Sequence, residues 1–280
     1  MPPLVFFGVG TGRTASMTLA NALNAETACV CLHEGKFRDF EEAGAQLLPF
    51  LTLDNRLAYE TPGQAYEIAK AKRSGLEHIA CERGVQFFGD VAYNNAPFIR
   101  PFARLYPDCK FIFQFRDCLS FVSSCAAPYG VDETPVGWPP NGKILSEIEK
   151  FIQIGRLQPR QNAPEATDWV EWDHLTKNIW LWAETNRTIL EGLSDLSEKM
   201  VYRVEFERFV SDPVEEYNRV RSFIGFEGAC SYDVLSRLSA RPINRRVVRE
   251  PQIEIDDLSE VQRSVFERFA TQVRFDLGYA

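Results

Sequence analysis

The first apolar run, Leu4 to Val9, stops at Gly10-Thr11-Gly12. A run that short, closed by glycines, reads as a strand buried on both faces. Beyond it Leu19, Ala22 and Leu23 recur at i, i+3 and i+4, which predicts a helix over about 14–24. The alternation then repeats. A short strand is expected over 28–32, helices over 63–74 and 95–106, and a strand over 85–88 that stops at Gly89-Asp90. The clearest strand is KFIFQF, 110–115, which runs onto Arg116-Asp117 and a helix over 118–126. A long helix over 174–197, a strand over 200–204, a helix over 213–224 and an amphipathic helix over 258–276 complete the pattern. Strands alternating with helices at this spacing predict an α/β, three-layer fold: a central, mainly parallel sheet, a P-loop-like first turn, and helices on both faces.

The stretch 128–172 breaks the rhythm, with six prolines and with Gly130, Gly137 and Gly142 in its first third. It is expected to be a partly irregular insertion placed over an active site. No linker, repeat or low-complexity tract interrupts 1–280, so one domain is expected.

Composition narrows the function. At 45% hydrophobic the chain can bury a large core, and a net charge of −8 argues against a nucleic-acid binder. Seven scattered cysteines without a CxxC pair read as reduced thiols, with Cys29 and Cys31 on one side of a strand and no metal site. No leader pattern and no membrane span are visible, so a cytoplasmic location is expected. His78 and His174 read as structural, and Trp180 and Trp182 as core packing on a helix.

Chemistry concentrates at the first turn. Gly10, Gly12 and Ala15 satisfy GxGxxA, while the P-loop pattern GxxxxGK[ST] is missed by one residue and by Arg13 in place of lysine. Backbone N–H groups at a helix N-terminus hold phosphate or sulfate, Arg13 adds a positive fork, and Thr14 and Ser16 add hydroxyl donors. A dinucleotide site, a phosphate loop and a phosphosulfate loop all remain open on these residues alone.

The segment GxGRTASMTL resembles the 5′-phosphosulfate-binding loop of the sulfotransferases that use 3′-phosphoadenosine 5′-phosphosulfate (PAPS). Arg13, Thr14, Ala15 and Ser16 match the family core position by position, with Ala15 in place of the usual glycine. Met17 stands where a second hydroxyl is common. A second signature agrees: a buried strand ending in Arg116-Asp117 with Ser124 eight residues beyond the arginine, Cys118 replacing the usual proline. A third runs from Val201 through Phe206 and Arg208 to Ser211-Asp212-Pro213 and Phe223-Ile224-Gly225. The three cover about half the chain.

The resemblance implies a PAPS-dependent sulfotransferase that sulfates an acceptor hydroxyl or amine, with PAPS as co-substrate and no metal. It implies that Gly12 to Met17 hold the 5′ end and that Arg116 and Ser124 bind the 3′-phosphate. Phe206 would stack on adenine, and Arg245 or Arg246, after Asn244, would add a last basic contact. Arg13 would stabilise the leaving phosphate. For the base, Glu34 lies about twenty residues beyond Arg13, as family glutamate bases do, and His33 is its rival because histidine suits proton transfer near neutrality. On an extended segment only one of the two would face the substrate. Asp90 is a third candidate, as base or as acceptor-orienting group, and Lys36 is a candidate for an acidic acceptor.

The acceptor is expected to be a small molecule or glycan, its identity unreadable. Two alternatives stand beside this reading: a P-loop small-molecule kinase, and a catalytically inactive nucleotide-binding module, which Met17, Cys118 and Phe206 keep open. An oxidoreductase on the GxGxxA pattern leaves Arg116 and Ser124 unexplained.

Overall fold

In the computed structural model the described residues are 3–34, 52–127, 137–145, 147–239 and 251–279. They contain a sheet of five strands: β1 (Leu4–Gly10), β2 (Cys29–His33), β3 (Phe87–Val91), β4 (Lys110–Phe115) and β5 (Val201–Glu205). The order is β2-β3-β1-β4-β5, and every pairing is parallel.

Period-two alternation sends side chains into two cores. Phe7, Val9, Phe88, Phe111, Phe113 and Phe115 enter one, closed by the helices Ile99–Leu105, Cys118–Ala126 and His174–Leu193. Phe6, Cys29, Cys31, Val91, Ile112 and Val204 enter the other, closed by Ser16–Leu23, Pro213–Ile224 and Tyr232–Ser239. The three-layer α/β expectation therefore holds. Phe7 stacks on Phe102 with centroids 3.8 Å apart, and each fully buried phenylalanine contributes about 1.5–3 kcal/mol of burial. Trp180 and Trp182 lie in the first core, as expected.

Several boundaries differ from the sequence reading, each for a local reason. The first helix begins at Ser16 rather than Thr14, because Arg13 and Ala15 are left-handed, with φ of 56° and 61°. The helix expected over 63–74 runs Pro62–Arg83, with proline at its first position and Gly84 ending it at φ 58°. The segment 95–106 divides into a 3₁₀ turn, Tyr93–Phe98, and the helix Ile99–Leu105. The last helix is interrupted by a π turn at Phe266–Ala270.

The most consequential correction concerns β3. It does not stop at Gly89-Asp90 but continues through both to Val91, so Asp90 lies inside the strand. Gly89 is a packing gap rather than a stop: a Cβ there would sit 2.1 Å from Cε2 of Phe6.

Within 128–172 the described residues are more regular than the proline content predicts. They include the helix Glu147–Gly155, and Trp169 packs edge-on against Trp138 and Trp180, each at 5.2 Å. Among the described residues no helix is long and apolar enough to cross a membrane.

The topology also locates a site. The helix after β1 covers one face of the sheet, whereas the helix after β4 covers the other. Adjacent strands whose connections leave in opposite directions open a crevice at their carboxyl ends, the usual ligand position in such sheets.

Candidate active site

The loop after β1 lines that crevice. Gly12, Arg13 and Ala15 all have positive φ, at 79°, 56° and 61°. Each non-glycine residue held there costs roughly 1–2 kcal/mol, so the surroundings must enforce the shape. Two side chains, one in β4 and one just past its end, do so. Gln114, 1% exposed, donates from Nε2 to the Thr14 carbonyl at 2.9 Å. Arg116 donates from Nη1 to the Arg13 carbonyl at 3.1 Å. Gly10 permits the close approach, since a Cβ there would lie 2.4 Å from the Gln114 carbonyl oxygen.

The loop's donors fit an anion. Ala15, at the N-cap of Ser16–Leu23, provides no side-chain cap for the first helical turn. The Thr14 hydroxyl is buried without a hydrogen-bond partner among the described residues. First-turn N–H groups at the positive end of a helix, with a hydroxyl and a guanidinium beside them, match the needs of phosphate or sulfate.

The second half of the site begins where β4 ends. Arg116 Nε donates to Ser120 Oγ at 2.6 Å, and its guanidinium lies 4.2 Å from the centre of the Phe206 ring. Trp182 Nε1 donates to the Arg116 carbonyl at 2.8 Å. Asp117 caps Cys118–Ala126 by accepting from Leu119 and Ser120 N–H, and it pairs with Arg274 Nε at 2.8 Å. Ser124, on the same helix and fully buried, accepts a hydrogen bond from Arg13 Nε at 2.9 Å. Arg13, Thr14, Arg116, Ser124 and Phe206 are thus brought into one site. Met17 stands in the first turn of Ser16–Leu23, and Arg208 is engaged outward in an ion pair with Glu216 at 3.0 Å.

His33 is the last residue of β2, and its Nε2 shares a hydrogen bond with Ser16 Oγ at 3.1 Å. Glu34 follows with φ 53° and donates its backbone N–H to the Val91 carbonyl at 3.2 Å. The expected extended geometry fails here, because a left-handed residue breaks the in-out alternation on which the choice between His33 and Glu34 rested. Burial pushes the Tyr93 phenol up, Arg156 opposes the shift, and Glu34 adds to it. Tyr93 and Arg156 line a cleft with Thr11, Asn55, Leu157, Leu181 and Thr185. The insertion supplies Arg156 and Leu157, and so it does reach the first turn.

Asp90 is 1% exposed, and its Oδ2 accepts from Asn95 Nδ2 at 3.3 Å. Asn95 also donates to the Gly8 carbonyl at 3.2 Å, so the pair ties the 3₁₀ turn to β1 and β3. Lys36, Asn244, Arg245 and Arg246 lie outside the described residues. No cluster of metal-binding side chains occurs among the described residues.

Sequence reasoning missed Gln114, Tyr93, Asn95 and Arg156, and it read Trp182 only as packing. Gln114 had a signal, being a polar amide inside the apolar run after Lys110. Tyr93 and Arg156 had none, because they meet only across distant stretches of the chain, and Asn95 had only the nearby Asp90.

An α/β protein with a donor-rich loop at the carboxyl end of its central strand is the class that these features define. No protein-family model matches the sequence, and no curated protein matches it significantly. Solved structures do match. The sulfotransferase domain from the curacin biosynthetic pathway is 13% identical with a TM-score of 0.52, covering 100% of this chain and 99% of that one. Sulfotransferase STF9 from Mycobacterium avium is 9% identical with a TM-score of 0.55, covering 100% of this chain and 77% of that one. STF1 from Mycobacterium tuberculosis H37Rv is 12% identical with a TM-score of 0.54, covering 96% and 77%. At these identities the likeness is one of fold, and the fold is that of the sulfotransferases.

Proposed function

We propose that the protein is a sulfotransferase that moves a sulfuryl group from PAPS to an acceptor hydroxyl or amine. The observation that carries this reading is the convergence of the two signatures, with Arg13 Nε 2.9 Å from Ser124 Oγ across the crevice. The buried Thr14 hydroxyl and the uncapped helix suit the 5′-phosphosulfate. Arg116 and Ser124 suit the 3′-phosphate, and the Phe206 ring offers adenine a stacking surface. Arg245 or Arg246 would add to the same phosphate.

In this reading Arg13 turns from Ser124 toward the bridging oxygen and stabilises charge on the 5′-phosphate as the sulfur–oxygen bond breaks. Glu34 takes the acceptor's proton as the acceptor oxygen or nitrogen bonds to sulfur, a contribution of roughly 10²–10⁴ in rate. The acceptor approaches along the side of the first turn, where Tyr93 and Arg156 line a water-sized cleft. Asp90, buried and bonded to Asn95, supports the turn that carries Tyr93 rather than taking the proton itself.

Calorimetric titration with adenosine 3′,5′-bisphosphate tests the reading, on wild type and on Arg116→Ala combined with Ser124→Ala. Saturable binding lost in the double variant, followed by turnover with PAPS in an acceptor screen, is expected. A folded wild type that ignores this nucleotide but binds ATP or NAD would overturn it.

A further inference from the structure

We infer that His33 is a positioning residue for the donor loop, which it serves by holding the Ser16 hydroxyl, and not the catalytic base. The inference rests on the donor reading proposed above. β2 alternates, so Cys29, Cys31 and His33 share one face. Cys29 and Cys31 pack in the core that also holds Leu19, Ala20 and Leu23 of the first helix. His33 therefore projects toward that helix, and its Nε2 meets Ser16 Oγ at 3.1 Å. The chain then changes hand at Glu34, φ 53°, so the alternation of β2 ends with the His33 ring on the donor loop.

Hydroxyl chemistry makes this contact matter. Serine has one proton to donate. With hydrogen on His33 Nε2, the imidazole donates to Ser16 Oγ, and the serine proton is left for a phosphate oxygen. With Nε2 bare, that proton is spent on the imidazole and the anion loses a donor. His33 thereby sets whether Ser16 faces the donor's 5′-phosphate as a donor or not. A glutamine at 33 keeps an amide N–H donor on a side chain that can reach Ser16, but it has no basic nitrogen.

The test compares His33→Ala, His33→Gln, Ser16→Ala and the double variant His33→Ala with Ser16→Ala. Each is titrated calorimetrically with adenosine 3′,5′-bisphosphate, melted thermally, and assayed for turnover with PAPS. Loss of one hydrogen bond to a charged group predicts roughly 10-fold weaker nucleotide binding in Ser16→Ala, and His33→Ala, which leaves that hydroxyl unheld, should weaken it by up to the same factor. His33→Gln should bind within about 3-fold of wild type and keep most of its turnover, and the double variant should be no weaker than Ser16→Ala alone. A purely structural role would lower the melting temperature without this non-additivity and without rescue by glutamine. His33→Gln with intact nucleotide affinity but turnover lost by about 100-fold or more would make His33 the base and overturn the inference. Unchanged affinity in His33→Ala would overturn it too. Absence of binding by folded wild type would instead remove the donor reading, and this inference with it.

Discussion

Replacing Gln114 by methionine isolates how the sheet shapes the donor loop. The side chains are close in length and volume, so little is lost in packing. What disappears is the 2.9 Å hydrogen bond from Nε2 to the Thr14 carbonyl. That carbonyl belongs to a loop pressed against β4, and Gln114 itself is 1% exposed. A buried acceptor left without its donor costs about 1–3 kcal/mol. Each kcal/mol moves the melting temperature of a chain of roughly this size by about 2–4 °C, so a fall of roughly 2–12 °C is expected. The loop, with Arg13 and Ala15 left-handed on either side of Thr14, loses one of its two clamps, and binding of adenosine 3′,5′-bisphosphate should weaken roughly 10-fold. Differential scanning fluorimetry and calorimetric titration read the two effects. Gln114→Glu is the informative partner, because it keeps the shape but sets an acceptor against an acceptor, and it should be the worse of the two. A methionine variant with wild-type melting and wild-type affinity would refute the idea that this bond holds the loop.

Three further outcomes are expected. Ala15→Gly should raise the melting temperature by a few degrees, since it relieves roughly 1–2 kcal/mol of left-handed strain at φ 61° against about 0.5–1 kcal/mol of added unfolded-chain entropy; a lower melting temperature would contradict it. Gly89→Ala should destabilise by about 1–3 kcal/mol or more, because its Cβ would fall 2.1 Å from the fully buried Phe6 ring, and Phe6→Leu in the same chain should recover part of the loss on a melting curve. Burial lowers the His174 pKa below 6.5, with Asp173 opposing the shift. The unfolded chain therefore takes up this proton first on acidification, and the His174 contribution to stability declines as pH falls through 6.5. Urea unfolding of His174→Gln between pH 7 and 5 should show a flatter pH dependence than wild type, and an unchanged slope would exclude the effect.

Much of the architecture was legible in order along the chain. KFIFQF and the helix after it appear where the pattern places them, and so does the helix opened by Asp212-Pro213. In each case the signals are local: an apolar run, a capping carboxylate, a proline at the first helical position. Gly89 misled because glycine has two local meanings, a chain stop and a space for a neighbour, and only the position of Phe6 chooses between them. Ala15 hid the start of the first helix for a related reason. Its side chain favours helix, whereas Gln114 and Arg116, by clamping the Thr14 and Arg13 carbonyls just before it, hold it left-handed.

The candidate site divides the same way. Sequence by itself determined the α/β layering, the concentration of anion-compatible donors at the first turn and the residue types at Arg13, Arg116 and Ser124, because period, spacing and charge are properties of short stretches. Only the tertiary structure decided that Arg13 meets Ser124, that Gln114 and Trp182 hold the Thr14 and Arg116 carbonyls, and that His33 turns to Ser16. Those facts join segments many residues apart across a sheet, and a left-handed residue at Glu34 ends the alternation of β2. The hydrogen bonds that aim the chemistry are non-local, so their geometry exists only once the sheet has brought the strand ends together.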